Sequence, residues 1–227
     1  MAHPLDNPAW HALTGEQSAY GTSAGRAARY RASVSPIAAV QDQSTEALLD
    51  LAEITPAGEV VALFTPGEIP VDTWQELAEV ELTQWVCESP AQGDGGLDFV
   101  QLGAAHAQAM FDLARTADPG PFEMETYQLG DYVGIFEDGA LVAMAGERIC
   151  FESYREVSAV ATLPGHEGRG YARALVAEIV RRQHAADCTP YLHVRVGSPA
   201  EAAATRVYAR LGFVERTRCA MTVLRRR

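Results

Sequence analysis

Apolar and polar positions recur along the chain with two periods, one near 3.6 residues and one of two, and these divide it into helices and strands. Residues 44–54 (STEALLDLAEI) carry an amphipathic pattern that predicts a helix, with Ser44 as its candidate N-cap. Residues 59–64 (EVVALF) predict a buried strand. Residues 73–86 place Trp74, Leu77, Val80 and Leu82 among acidic positions and read as a second, acidic helix. The first 40 residues hold Trp10, Tyr20 and Tyr30 without a clear period.

The segment at 90–96 (PAQGDGG) has little to bury and marks a boundary between residues 1–97 and residues 98–227. Beyond it the pattern is more regular. Residues 102–117 predict a helix with Met110, Phe111 and Leu113 on its apolar positions. Residues 132–136 and 141–148 predict strands joined by Glu137-Asp138-Gly139, a strong hairpin signal. A strand is expected at 156–162, then a helix at 169–186, a strand at 191–196, a helix at 199–211 and closing strands from 213 to about 224. The strand–helix–strand unit around 169–186 requires a parallel pair, so the fold class is α/β with a mixed sheet flanked by helices.

Composition narrows the function. Of 227 residues 48% are apolar and 21% charged, which excludes a disordered chain or a coiled coil. The net charge of −12 lies entirely in residues 1–100, which hold 15 acidic and 3 basic residues, while residues 101–227 are balanced. Such a surface repels nucleic acid and anionic membranes and favours a cationic small molecule or peptide amine. No apolar run approaches the roughly 18 residues of a membrane helix. The start, MAHPLDNPAWHAL, has no basic or apolar leader segment. Cys87, Cys150, Cys188 and Cys219 stand far apart without a CxxC pair, which speaks against a zinc knuckle or a disulfide scaffold and fits a reducing cytoplasm.

The chemistry concentrates after the strand at 156–162, where a glycine-rich turn opens a helix. Such a turn aims backbone N–H groups outward at the positive end of a helix dipole, where a phosphate binds. Gly168 and Gly170 let a ligand approach the backbone closely. The GxGxA spacing is not that of a dinucleotide fingerprint, and a chain without lysine cannot carry a Walker loop.

Together with the chain as far as Phe213, this stretch resembles the GNAT superfamily of acyl-CoA-dependent N-acyltransferases. The family's pyrophosphate motif, [Q/R]-x-x-G-x-[G/A], aligns with Glu167-Gly168-Arg169-Gly170-Tyr171-Ala172, and its preceding strand ends in Thr162 and Pro164. The family's closing Tyr-x-x-Leu-Gly-Phe stands as Tyr208-Ala-Arg-Leu-Gly-Phe213. The resemblance covers roughly residues 98–227. It implies acetyl-CoA as co-substrate and no metal, with the backbone of Glu167, Gly168, Arg169, Gly170, Tyr171, Ala172 and Arg173 on the pyrophosphate. It also implies Val160, Ala161 and Thr162 along the pantetheine arm and Tyr208 as the acid that protonates the leaving thiolate.

Glu156 falls where some members place a catalytic glutamate. From the residues alone it is equally a strand-end carboxylate paired with Arg148 or Arg155. Glu147 is a further candidate base, while His166 and His193 read as structural. The chain departs from the family at Glu167, for Gln or Arg, with Arg169 and Arg173 positioned to offset the charge. It departs again at Glu201, where many members carry an Asn that touches the cofactor. The implied activity is acetyl transfer to a primary amine, and the alternative is a non-catalytic acyl-CoA-binding or sensing module. Residues 1–97, with helix, strand and helix, are compatible with a degenerate GNAT-like half that lacks the pyrophosphate motif. The chain is expected to be a monomer or homodimer.

Overall fold

A computed structural model of the chain describes residues 3–64, 68–70, 72–89 and 97–227. Its N-terminal region opens with α1 (Pro8–Thr14) and three four-residue strands, β1 (Gly21–Ala24), β2 (Ala27–Tyr30) and β3 (Ile37–Val40). Both β2 and β3 are buried along their whole length, which is why this stretch shows no alternation. The helix predicted at 44–54 is α2 (Thr45–Glu53), capped by Ser44, whose Oγ accepts from the Ala47 N–H at 3.2 Å. It leads into β4 (Val60–Phe64).

The acidic helix expected at 73–86 is instead a strand, β5 (Trp74–Val86). The spacing of Trp74, Leu77 and Val80 imitates a helical stripe, yet Val80 and Leu82 pack on one face of the sheet and Trp85 on the other, with period two. Trp74 is buried, and its indole N–H donates to the Leu48 carbonyl of α2 at 3.0 Å. Long pairings on both sides hold the segment extended, against any local helical preference.

After the boundary segment, whose residues 90–96 lie outside the described ones, come β6 (Val100–Leu102) and α3 (Ala107–Ala117). The predicted hairpin joins β7 (Tyr132–Glu137) to β8 (Ala140–Phe151), with Asp138 (φ 49°) and Gly139 (φ 81°) both in the left-handed region its tight turn needs. Next come β9 (Tyr154–Thr162), α4 (Tyr171–Ala185), β10 (Thr189–Arg195) and α5 (Glu201–Arg210). The closing strands are one strand, β11 (Val214–Arg226).

The strands of the described residues form one sheet in the order β1-β2-β3-β4-β11-β5-β10-β9-β8-β7-β6. This order is nearly a palindrome. From one edge, three antiparallel strands β1–β3 lead across α2 to parallel β4; from the other, inside the edge strand β6, β7–β9 lead across α4 to parallel β10. Each half then donates its closing strand to the other, β5 pairing with β10 and β11 with β4. The N-terminal region therefore repeats the strand plan of the C-terminal one. β5, assigned by sequence to the N-terminal region, lies in the middle of the shared sheet.

Two layers cover the sheet's central faces. On one, α1 packs with Phe64, Leu82, Tyr191 and Met221. On the other, Leu175, Val176, Ile179 and Val180 of α4 and Tyr208 of α5 pack against Leu192 and Val194. These aliphatic side chains are at most 5% exposed, each contributing about 1.5–3 kcal/mol through burial.

Candidate functional site

The site begins where two parallel strands part. β9 and β10 are paired at Tyr154–Thr189, Arg155–Pro190 and Glu156–Tyr191, and no pairing continues beyond. Past that point β9 carries a bulge, with Ala159 in the left-handed region (φ 51°) and a register shift against β8. A bulge bends its strand and leaves backbone groups outside the ladder. The next residues, Val160, Ala161 and Thr162, line a cleft of about 630 Å³.

The cleft continues over the glycine-rich turn and the first turn of α4, with Glu167, Gly168, Gly170, Tyr171, Ala172 and Arg173 along it. Gly165 (φ 88°), Gly168 (φ 76°) and Gly170 (φ 83°) are all left-handed, and a Cβ built on any of them would meet nothing within 4 Å. Glycine is thus needed for backbone conformation, and open space lies above the turn. Gly170 is the N-cap of α4, so no side chain caps the helix and its first-turn N–H groups have no partner within it. The matching turn of the N-terminal half differs. There Ser44 caps α2, and the Asp42 carboxylate accepts the Ser44 N–H at 3.0 Å. Only the C-terminal copy presents an uncapped helix start to its cleft.

Charged groups around the turn are arranged otherwise than expected. Glu167 folds back so that its carboxylate accepts the Gly165 N–H at 2.6 Å. Arg169 does not offset it, and does not line the cleft: the guanidinium donates to both oxygens of Glu137, at 3.1 and 2.9 Å. Glu137 also accepts from the Tyr171 hydroxyl and stands 3.3 Å from His166 Nε2. The Tyr171 bond outweighs the opposing effect of burial and, with Arg169 adding to it, holds this carboxyl below its usual range. Glu137 thus ties the β7–β8 hairpin to the turn, a role that its place in a hairpin motif did not reveal. Glu201 turns away to accept the Gly197 N–H at 2.7 Å.

On the far wall, Ala200, Ala203, Ala204, Val207 and Tyr208 present one side of α5. The Tyr208 ring packs edge-on against Phe213, with centroids 5.8 Å apart, and burial pushes its hydroxyl up to about 12. That hydroxyl has no protein partner among the described residues.

Glu156 does not open onto this cleft. It is 1% exposed and gripped by Arg148, whose Nε and Nη2 each donate at 2.9 Å, with His193 Nδ1 at 2.8 Å. Burial alone would raise its pKa, but Arg148 and His193 outweigh burial and hold it down to about 2. A carboxylate so stabilised is a weak base, which corrects the expectation that Glu156 takes the proton itself. Glu147, the other candidate, serves a structural end: it accepts the Asp131 N–H at 3.0 Å and the Gln183 amide at 2.9 Å. Among the described residues no His, Cys, Asp and Glu side chains gather as a metal site, and no helix is long and apolar enough to cross a membrane.

Known proteins with related sequence or structure bear on this arrangement. The family model for FR47-like proteins matches residues 132–222, which span the parting strands, the turn, α4 and α5. No curated protein matches the chain. Among solved structures, a GNAT-family protein from Novosphingobium aromaticivorans DSM 12444 is 31% identical, covers 100% of both chains and superposes with a TM-score of 0.90. A GCN5-related N-acetyltransferase from Kribbella flavida shares the fold at 18% identity (96% of this chain, 95% of that one, TM-score 0.60). A GCN5-related N-acetyltransferase-like protein from Streptococcus suis 89/1591 does so at 14% identity (97% and 92%, TM-score 0.59). Identity over the full length, on this fold and with this turn and tyrosine in place, shows that the chain belongs to the GNAT family.

Proposed function

We propose that the chain is an N-acetyltransferase that moves an acetyl group from acetyl-CoA to a primary amine, with Tyr208 as general acid. The observation that carries this reading is the single cleft joining the bulged end of β9, the uncapped glycine turn and Tyr208. The residues present suit a CoA thioester. The glycine turn has open space above it, and His166, on the cleft wall, keeps a buried Nδ1 without a partner among the described residues. When bound, acetyl-CoA supplies the activated acyl carbon that the amine attacks.

The remaining work falls to the chain's own groups. Backbone amides of the turn and of the first turn of α4 hold the pyrophosphate. Main-chain groups of Val160, Ala161 and Thr162 align the acyl arm as an added strand would be aligned. Tyr208, protonated at neutral pH, donates as the thiol leaves. The same desolvation that raises the tyrosine raises a thiolate beside it, which keeps the transfer mild.

A non-catalytic acyl-CoA-binding module is the second reading, favoured by Glu167, whose carboxylate already occupies one donor of the turn. Release of free CoA thiol from acetyl-CoA across a panel of primary amines separates the two. Amine-dependent release is expected for the enzyme. Acetyl-CoA binding without release with any amine would leave the module.

A further inference from the structure

We propose that His193 is the group that takes the proton from the acceptor amine, with Glu156 and Arg148 as the pair that positions it; this rests on the acyl-transfer reading above. His193 lies two residues past Tyr191, the last residue of β10 paired with β9, so it borders the gap between the parting strands. Glu156 stands at the last pair, opposite Tyr191. The gap has two faces. Tyr208 packs with Leu192 and Val194 on the α4–α5 face. The His193 ring lies on the other, 4.8 Å from Phe64 and 5.8 Å from Tyr191. An acyl group held in the gap along Val160 and Ala161 thus has a hydroxyl on one face and an imidazole on the opposite one.

The imidazole is held in one orientation by Glu156 of β9 and Gln84 of β5. Arg148 already balances the charge of Glu156, so a third ionisable side chain is not needed for neutrality. Nδ1 faces Glu156 Oε1 at 2.8 Å, and an ionised carboxylate can only accept, which puts the ring proton on Nδ1 and the lone pair on Nε2. Nε2 is covered by the Gln84 amide nitrogen at 3.0 Å. That amide also donates to the Leu5 carbonyl at 2.8 Å, so it keeps a partner when it releases the ring. Gln84 and Phe64, which both touch His193, line a separate cavity of about 310 Å³ with Asp6, Asp42 and Arg216. The titratable side chains facing His193 and Glu156 from other elements are Arg148 and Cys150 of β8, Tyr30 of β2, Tyr132 of β7 and Cys219 of β11. Arg216 of β11 reaches it through Gln84, with Asp6 behind.

The protons balance. An N–H bond of the ammonium breaks and its proton goes to Nε2, the imidazolium resting on Glu156. The freed pair forms the C–N bond as C–S breaks, and the nitrogen sheds a second proton to the water that reprotonates Tyr208. One proton ends on sulfur through Tyr208, which water resupplies, and one ends in water through His193.

The test is kcat/KM against pH for the full chain with acetyl-CoA and two primary amines of different pKa. The wild type is expected to show one acid limb at the same pH with both amines. His193→Gln should lose that limb and at least about 10² in rate, with Tm and acetyl-CoA Kd near wild type. A limb that follows the amine, or one retained in His193→Gln, overturns the proposal. Nitrogen-15 spectra of the wild-type ring test it without any variant: a proton on Nδ1 and none on Nε2 at neutral pH is expected, and the reverse tautomer overturns it. No thiol release by the wild type with any amine fails the acyl-transfer reading itself, and the role of His193 with it.

Discussion

Arg148 grips Glu156 with two parallel hydrogen bonds of 2.9 Å, and both side chains are buried. The pair spans adjacent strands β8 and β9 at the point where β9 begins to leave β10. Since the Glu156 carboxyl sits well below its ordinary value, its contribution to stability is complete above about pH 4.5 and is lost as pH falls toward 2. Glu156→Gln removes that dependence and leaves Arg148 as an uncompensated buried charge, at a cost of about 3–5 kcal/mol. Urea unfolding at pH 7 should show a much lower midpoint, and the gap to wild type should narrow on acidification. An unchanged midpoint at pH 7 would mean that the pair contributes no net stability.

Gly170→Val puts a β-branched residue at φ 83°, a conformation that costs an L-residue about 1–2 kcal/mol, and projects a side chain into the open space above the turn. The protein should still fold, since a Cβ there meets no neighbour, but acetyl-CoA affinity should fall by about tenfold or more, some 1.4 kcal/mol. Calorimetry with acetyl-CoA checks this alongside circular dichroism. Wild-type affinity in a folded variant would move the pyrophosphate elsewhere.

The glycine turn and Tyr208 are legible in the sequence because each sits in a short local motif whose backbone geometry the residues themselves dictate. The hairpin at Asp138 and Gly139 is legible for the same reason. β5 is not, because its helix-like spacing of Trp74, Leu77 and Val80 is overruled by partners distant in sequence. Nor is the polar group around Glu156: His193 lies 37 residues from Glu156 and 109 from Gln84, and only the sheet register joins them. Glu137 likewise looks like an ordinary turn residue until the fold lays Arg169 and Tyr171 against it.

Tyr208→Phe deletes one hydroxyl without a protein partner among the described residues, so stability and acetyl-CoA affinity should stay near wild type. Turnover should fall by about 10²–10⁴, the usual effect of losing a positioned acid. Because burial holds this hydroxyl protonated up to about 12, no alkaline loss of rate from Tyr208 is expected below about pH 11. Stopped-assay thiol release on an accepted amine decides it. Full turnover in the variant would leave Tyr208 as a packing residue against Phe213.

The net charge of −12 lies in residues 1–100, and part of it stands at the end of the sheet toward which β9 and β10 part, where it bears on how the acceptor arrives. β10 pairs only with Leu82–Val86 of β5, and Val196, just past its end, donates to the Glu81 carbonyl at 2.9 Å. Beyond that point β5 continues with exposed Glu79 and Glu76, at the sheet end where β9 and β10 part; Glu81 itself is paired with Arg218 at 2.8 Å. An amine is an ammonium until its proton is removed, so this acidic edge should raise its local concentration and speed its encounter. Exposed charges are screened beyond about 8 Å at physiological salt, which makes the effect one of rate and measurable. For a cationic acceptor, kcat/KM should fall as ionic strength rises, and Glu76→Gln with Glu79→Gln should flatten that dependence while kcat stays put. A rate indifferent to salt, or a preferred acceptor that is neutral or anionic, would leave the acidic edge with no part in substrate capture.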